Sequence, residues 1–329
     1  MASSNFANTS KRLNNMKKVV LNLSECHALG DTICATPTIR KLYEAYQQKI
    51  IVQSNFWDVF ENNKCVDYCL GIKSVLPDYG NVILHNSFKN IGKKNEDGVE
   101  QKHNRMDIRQ FHAVSLGFQL TKDELQCEFT PNKNKLNSSV FENPYVVIHP
   151  VSTWASRTWD SEKWMQLTKL LNDSGISVVS IGKDSSETGF FNMQKPCFNF
   201  TIQNGFNFIN ATDLSDCWHL INNAICFVTM DSGLLHLAGT TDGEILQLGS
   251  SILPEFRIPY RFGDQSYKYR YVVGNCRIHC ASNMKYGVKE WGDIQGVPPL
   301  VGCLEYKSKY ECHPTVAQVF ATIQEINNK

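Results

Sequence analysis

No stretch of the 329 residues approaches the roughly 20 consecutive apolar side chains that a bilayer-spanning helix needs. The N-terminal MASSNFANTSKRLNNM also lacks the apolar core of a signal peptide. A flexible polar tail over residues 1–16, or an alternative start at Met16, and a cytoplasmic location are therefore expected. Charge imbalance is missing too, since 33 Lys and Arg against 32 Asp and Glu leave a formal net charge of +1. Without an extended basic face carrying interleaved aromatics, nucleic acid is disfavoured as a partner, although DNA with modified bases stays open as an acceptor. Coiled-coil heptads and internal repeats are absent. So is a DxD triplet, and the loop after the first predicted strand holds neither GxGxxG nor GxxxxGKS/T, which disfavours a dinucleotide site or a P-loop.

What is present is a composition of ordinary globular type, with 42% hydrophobic and 20% charged residues, in a chain long enough for two domains of roughly 150 residues each. Short apolar runs rich in β-branched residues alternate with stretches of helical spacing. KKVVLNL (17–23) predicts a strand, TICATPTIRKLYEAY (32–46) a helix, KIIVQS (49–54) and NVILHNS (81–87) two more strands, and RMDIRQFHAVSLGF (105–118) a helix. The polar TPNKNKLNSSVFENP (130–144) interrupts the pattern and reads as a crossover, placing a boundary near residue 140. Alternation then restarts with YVVIHP (145–150), a helix over 160–175, ISVVSIG (176–182), ICFVTM (225–230), a helix opened by Ser232, and GEILQLGS (243–250). Asp160 is placed to cap its helix and Gly175 to end it. Such alternation implies parallel sheets covered on both faces, in an α/β chain of two doubly wound units. The expected domains are 17–140 and 141–329.

Three junctions carry chemistry-bearing residues. In ALGDTICATP, Gly30 and Asp31 sit between a strand end and a helix, where ligands gather in open α/β sheets, although an Asp there could equally cap the helix. In HPVSTWASRTW, the hydroxyls Ser152, Thr153 and Ser156 precede Arg157 and a helix, a composition suited to a pyrophosphate; a capped surface loop with a solvated Arg is the plain alternative. Trp154, Trp159 and Trp164 read as packing residues. In MDSGLLHLAG, Asp231, Ser232 and Gly233 end an apolar run and His236 stands one turn after Ser232; a helix cap beside a buried histidine would look the same.

Taken in this order and spacing, GDTICATP, HPVSTWASRTW and DSGLLHLAG resemble glycosyltransferase family 9, the ADP-heptose heptosyltransferases of the GT-B fold, over nearly the whole chain from about residue 17. The resemblance implies two Rossmann-like domains facing each other across a cleft, the first binding the acceptor and the second the nucleotide-sugar donor. It implies Asp31 as catalytic base, Ser152, Thr153 and Arg157 on the donor diphosphate, and Gly30, Asp231, Ser232, Gly233 and His236 lining the pocket. Glu187, or Asp184, falls near the family's acid on the donor ribose. Arg157 stands where the family usually has Lys, which keeps the charge and changes its hydrogen-bond geometry.

An inverting transfer needs one carboxylate to take the acceptor's proton and positioned donors to stabilise the departing diphosphate. Arginine and hydroxyls can do this without a divalent metal, so a metal-independent transferase moving a sugar, heptose among them, to a saccharide acceptor such as lipopolysaccharide core is expected. A phage-type transferase acting on modified DNA or on protein, and a nucleotide- or sugar-binding module without turnover, are the alternatives. The Lys-, Arg- and His-rich residues 89–110 would favour an anionic acceptor if they bind one, while a charge-rich loop can simply be solvated. Twelve cysteines in a reducing compartment should be thiols unless they bind metal. Cys276, Cys280, Cys303 and Cys312 fall in a Gly- and Pro-rich segment, 276–312, and suit structural zinc or iron, with a fortuitous thiol cluster or a disulfide as alternatives.

Overall fold

The computed structural model describes residues 18–24, 26, 28–74, 82–86, 106–137, 140, 142–151, 155–183, 204–282 and 311–329. In the first half, β1 (Lys18–Asn22), β2 (Ile50–Gln53), β3 (Val66–Leu70) and β4 (Val82–Asn86) pair in parallel in the order β3-β2-β1-β4. In the second, β5 (Tyr145–His149), β6 (Ser177–Gly182), β7 (Gly205–Ile209), β8 (Cys226–Thr229), β9 (Ile245–Leu248) and β10 (Tyr269–Val272) form a parallel sheet ordered β10-β9-β8-β5-β6-β7. The central strands β2, β8 and β9 are buried at every position. That is why they read in the sequence as continuous apolar runs rather than alternating ones.

The helices are α1 (Leu29–Cys34), α2 (Thr36–Tyr46), α3 (Ile108–Val114), α4 (Ser161–Asp173), α5 (Leu214–Asn223), α6 (Gly233–Ala238) and α7 (Val316–Asn327). Local chemistry sets their ends. The Asp160 carboxylate accepts from Glu162 N at 2.8 Å and Gly175 follows α4 with φ of +76°, as expected of a cap and a C-terminal stop. Asp213 with Asp216, and Thr315 with Gln318, close capping boxes on α5 and α7.

The expected single helix over 32–46 is two, divided at Ala35, with Pro37 in the first turn of α2 where its missing N–H costs nothing. Helix α1 also starts earlier than its apolar spacing suggests, so Gly30 and Asp31 lie inside its first turn rather than ahead of it. Strands β3 and β10 were not legible as apolar runs. Both are edge strands, only partly buried, and carry Asp67 and Arg270 within them.

One apolar cluster runs from β1 and β2 through α1 and α6 into one face of the second sheet, reaching Val147, Phe227 and Ile245. The other face of that sheet packs under α4 and α7, around Trp159 and Trp164, whose rings meet edge to face with centroids 4.8 Å apart. The Trp159 indole donates to the Pro314 carbonyl at 2.9 Å, so these two tryptophans are packing residues, as expected; Trp154 lies outside the described residues. The crossover is tied to both halves: Asn132 N donates to Ser215 Oγ at 2.9 Å and the Asn62 amide donates to Asn132 Oδ1 at 3.0 Å.

Candidate active site

The site forms where the two sheets present the carboxyl ends of β1, β5 and β8. Helix α1 follows β1 and packs against α6, which follows β8. The approach is close because both helices carry glycine at the contact. A Cβ on Gly30 would lie 3.0 Å from His236 Cδ2 and 3.2 Å from Gly233 Cα, and one on Gly233 would lie 3.1 Å from Gly30 N. Asp31, one residue on, is partly exposed at this seam. The N-cap position of α1 is Ala28, so Asp31 stands in the first turn of the helix rather than at its N-cap.

On the facing side, Ser232 caps α6, its hydroxyl accepting from Leu235 N at 3.3 Å and lying 3.0 Å from Thr229 Oγ1. Thr229 in turn meets His149 Nδ1 at 3.3 Å, which ties the end of β5 to the start of α6. Asp231 and His236 are buried, with 2% and 3% of their surface exposed. Burial, aided by Arg109 and Arg257 and opposed by Asp231, pushes the His236 pKa down to about 3, so the imidazole is neutral.

Arg157 is brought to Asp231, with Nε 3.3 Å from Oδ2, and is not merely a solvated loop residue. Gly30, Asp31, Arg157, Asp231, Ser232, Gly233 and His236 are thus gathered into one region from three separate segments of the chain, 30–31, 157 and 231–236. Ser152, Thr153, Glu187 and Asp184 lie outside the described residues, as do 89–105 of the basic stretch.

Three residues at this seam were not singled out in the sequence, Arg109 being read there only as part of the basic stretch 89–110. Arg257, buried after a 3-10 turn at Pro254–Phe256, places Nε 3.7 Å from Asp231 Oδ2. Arg109 on α3 is fully buried, paired through Nε and Nη2 with Asp107 and stacked over Tyr260 at 5.1 Å. His112, one turn further along α3, hydrogen-bonds the Asp31 backbone, while burial pushes its pKa down to about 3. An Arg or His in an apolar stretch gives no local sign of its partner, so only distant segments folding together expose these roles.

Of the cysteine set, Cys276, Cys280 and Cys312 are buried, and the backbone pairs Gly274 N with Cys312 O at 2.9 Å and Cys276 N with Glu311 O at 3.0 Å. Cys303 lies outside the described residues, and among the described residues no group of three or more His, Cys, Asp or Glu is placed to hold a metal ion. The four-thiol site is therefore not assembled by the described residues. Among them, no helix is long and apolar enough to cross a membrane.

Two parallel α/β units meeting at the carboxyl ends of their strands have the GT-B architecture. The family model for glycosyltransferase family 9 (heptosyltransferase) matches residues 96–260, and the chain belongs to that family. The matched span includes Arg157, Asp231, His236 and Arg257; Asp31 precedes it.

Solved structures share the fold. The dodecameric iron-containing heptosyltransferase TibC, in complex with ADP-D-beta-D-heptose, superposes with a TM-score of 0.68 at 14% identity, covering 95% of this chain and 77% of that one. The E. coli ADP-heptose lps heptosyltransferase II gives 0.58 at 15%, covering 94% and 98%. A family 9 glycosyl transferase from Veillonella parvula gives 0.57 at 12%, covering 94% and 97%. No curated protein matches the chain by sequence.

Proposed function

We propose that this glycosyltransferase moves a sugar, heptose in the first instance, from an ADP-type donor to a saccharide hydroxyl with inversion and without a catalytic metal. The observation that carries the reading is the glycine seam, which sets Asp31 directly beside the half that holds Arg157, Asp231 and His236. Residues 17–140 serve as the acceptor domain and 141–329 as the donor domain, in a cytoplasmic enzyme. The Asp31 carboxylate takes the proton of the acceptor hydroxyl as its oxygen bonds to the anomeric carbon. The bond from that carbon to the diphosphate breaks, and its electron pair leaves with the phosphate oxygen. Arg157, with Ser152 and Thr153, meets the growing charge. Gly30, Gly233, Ser232, Asp231 and neutral His236 line the sugar and phosphate pocket, and Glu187 holds the donor ribose. If the Lys-, Arg- and His-rich residues 89–105 bind the acceptor, they favour an anionic one such as lipopolysaccharide core; Arg109, later in that stretch, is buried against Asp107.

Asp31→Ala tests the assignment: transfer from ADP-heptose should fall by about two to four orders of magnitude, the span of one general base, with the fold intact. Full transfer by that variant would refute it, and the anomeric configuration of the wild-type product reads inversion directly.

The cysteine segment belongs to the same reading as a structural tie. Cys276, Cys280 and Cys312 are buried, and with Cys303 they would have to draw together to form a tetrahedral set for iron or zinc, since the three are not placed as a metal site among the described residues. TibC is iron-containing. Metal analysis of protein purified without chelator should find about one ion per chain, lowering thermal stability when removed; metal-free protein with an unshifted melting curve would leave the thiols as coincidence.

A further inference from the structure

Asp31 stands in α1, a helix of six residues whose N-cap, Ala28, makes no side-chain bond to its backbone. The peptide of Asp31 is held from outside the helix by α3. His112, fully buried on α3, is bonded to the Asp31 backbone, and because that bond favours the charged imidazole, the ring N–H is the donor and the Asp31 carbonyl the acceptor. The Ala35 N–H donates to the same oxygen at 3.1 Å. Leucine would fill this place on the buried face of α3 at less cost, since an imidazole taken out of water has to recover its hydrogen bonding inside the protein. The bond it makes goes to the residue that carries the reactive carboxylate.

Helix α3 is fixed in turn to the second half. Asp107 caps it, accepting from Arg109 N at 2.9 Å, and takes the Arg109 side chain through Nε at 2.8 Å and through Nη2. The guanidinium oriented in this way lies 5.1 Å from the centroid of the Tyr260 ring. Pro259, the neighbour of Tyr260, packs so closely on Gly239 at the end of α6 that a Cβ on that glycine would overlap the proline ring. The contacts form a closed circuit: α6 meets α1 across Gly233 and Gly30, α1 meets α3 through His112, and α3 returns to α6 through Arg109, Tyr260 and Pro259. A short helix touched along one line can roll about its axis. One pinned on two sides has to break a joint to do so.

We propose that His112 is a positioning residue for the catalytic base: α3 is a strut that fixes the roll of α1, and with it the direction of the Asp31 carboxylate, against the donor half. The proposal rests on the glycosyltransferase reading above, with Asp31 as base. His112 moves no proton itself. The carboxylate has to meet the acceptor hydroxyl within hydrogen-bond reach, and a misplacement of about 1 Å can cost about a hundredfold in rate. Loss of the His112 bond therefore lowers kcat and leaves donor binding, which lies with Arg157 and Asp231 across the seam, as it was.

Transfer kinetics with ADP-heptose, calorimetry with ADP and a urea midpoint, all on the same preparations, test this. His112→Leu fills the space without an N–H, so kcat should fall about tenfold to a hundredfold while ADP affinity and donor KM stay within about twofold. His112→Asn and His112→Gln offer an amide N–H at the reach of one or the other ring nitrogen, and the better of them should recover most of the loss. Tyr260→Leu removes the ring beside Arg109 and should slow turnover several-fold; added to His112→Leu it should cost little more, because the strut is already cut. An unchanged kcat in His112→Leu, no recovery by either amide, or losses that multiply in full in the double variant overturns the proposal. So does a His112→Leu protein whose ADP affinity and urea midpoint fall together with kcat, the mark of a merely structural role. Should His112→Leu fail to fold, half-buried Tyr260 decides: a slow Tyr260→Leu with recovery in Tyr260→Phe, which keeps the ring face, supports the strut, and equal rates overturn it. Full transfer by Asp31→Ala, or none by the wild type, would instead bring down the catalytic reading, and this proposal with it.

Discussion

Adding one methyl group at Gly30 is the sharpest perturbation of the seam between the halves. The new Cβ would stand 3.0 Å from His236 Cδ2 and 3.2 Å from Gly233 Cα, closer than ordinary van der Waals contact, so α1 and α6 must give by a few tenths of an ångström. Overpacking of this kind costs about 1–3 kcal/mol. Gly30 is inside a helix, where alanine recovers about 1 kcal/mol, so the net loss of stability should be about 0–2 kcal/mol. Turnover should suffer more than stability. Since a misplacement of about 1 Å can cost about a hundredfold, a shift of tenths of an ångström next to Asp31 should lower kcat by roughly tenfold. Donor turnover and urea midpoint, measured on the same preparation of Gly30→Ala, separate the two effects. An unchanged kcat would refute the idea that the glycine contact sets the position of the base.

Acid should destabilise the protein before its carboxylates titrate. His112 and His236 have folded-state pKa values pushed from 6.5 to about 3 by burial, so between those values the unfolded chain binds protons that the folded chain does not. Stability is complete above about pH 6.5 and falls as pH drops; a urea midpoint that stays flat from about pH 7.5 to about pH 5 would contradict this sign. Asp107→Ala removes both the cap of α3 and the partner of fully buried Arg109. It should cost about 3–5 kcal/mol, the range for leaving a buried charge uncompensated, and a loss below about 1 kcal/mol in a denaturant titration would show that another group takes over the guanidinium.

Much of the fold was legible because burial on both faces writes parallel strands as apolar runs, and because Asp160, Ser232 and Gly175 act through their own neighbours in the chain. The edge strands β3 and β10 were not legible, since half-buried strands need no such run. The residue types of the site were likewise in the sequence: Asp31, Arg157, Asp231 and His236 stand at strand-to-helix junctions, where α/β sheets gather ligands.

Their partners were decided only by tertiary structure. Nothing near Asp231 announces that Arg257 shares its carboxylate with Arg157, nothing near Asp31 that His112 holds its backbone, and nothing near Gly30 that another glycine lies across the seam. The physical reason is range. Helix periods, caps and strand runs come from interactions over a few residues, whereas the charge balance of the site and the spacing between its halves arise from segments up to about two hundred residues apart that meet only when both sheets have packed.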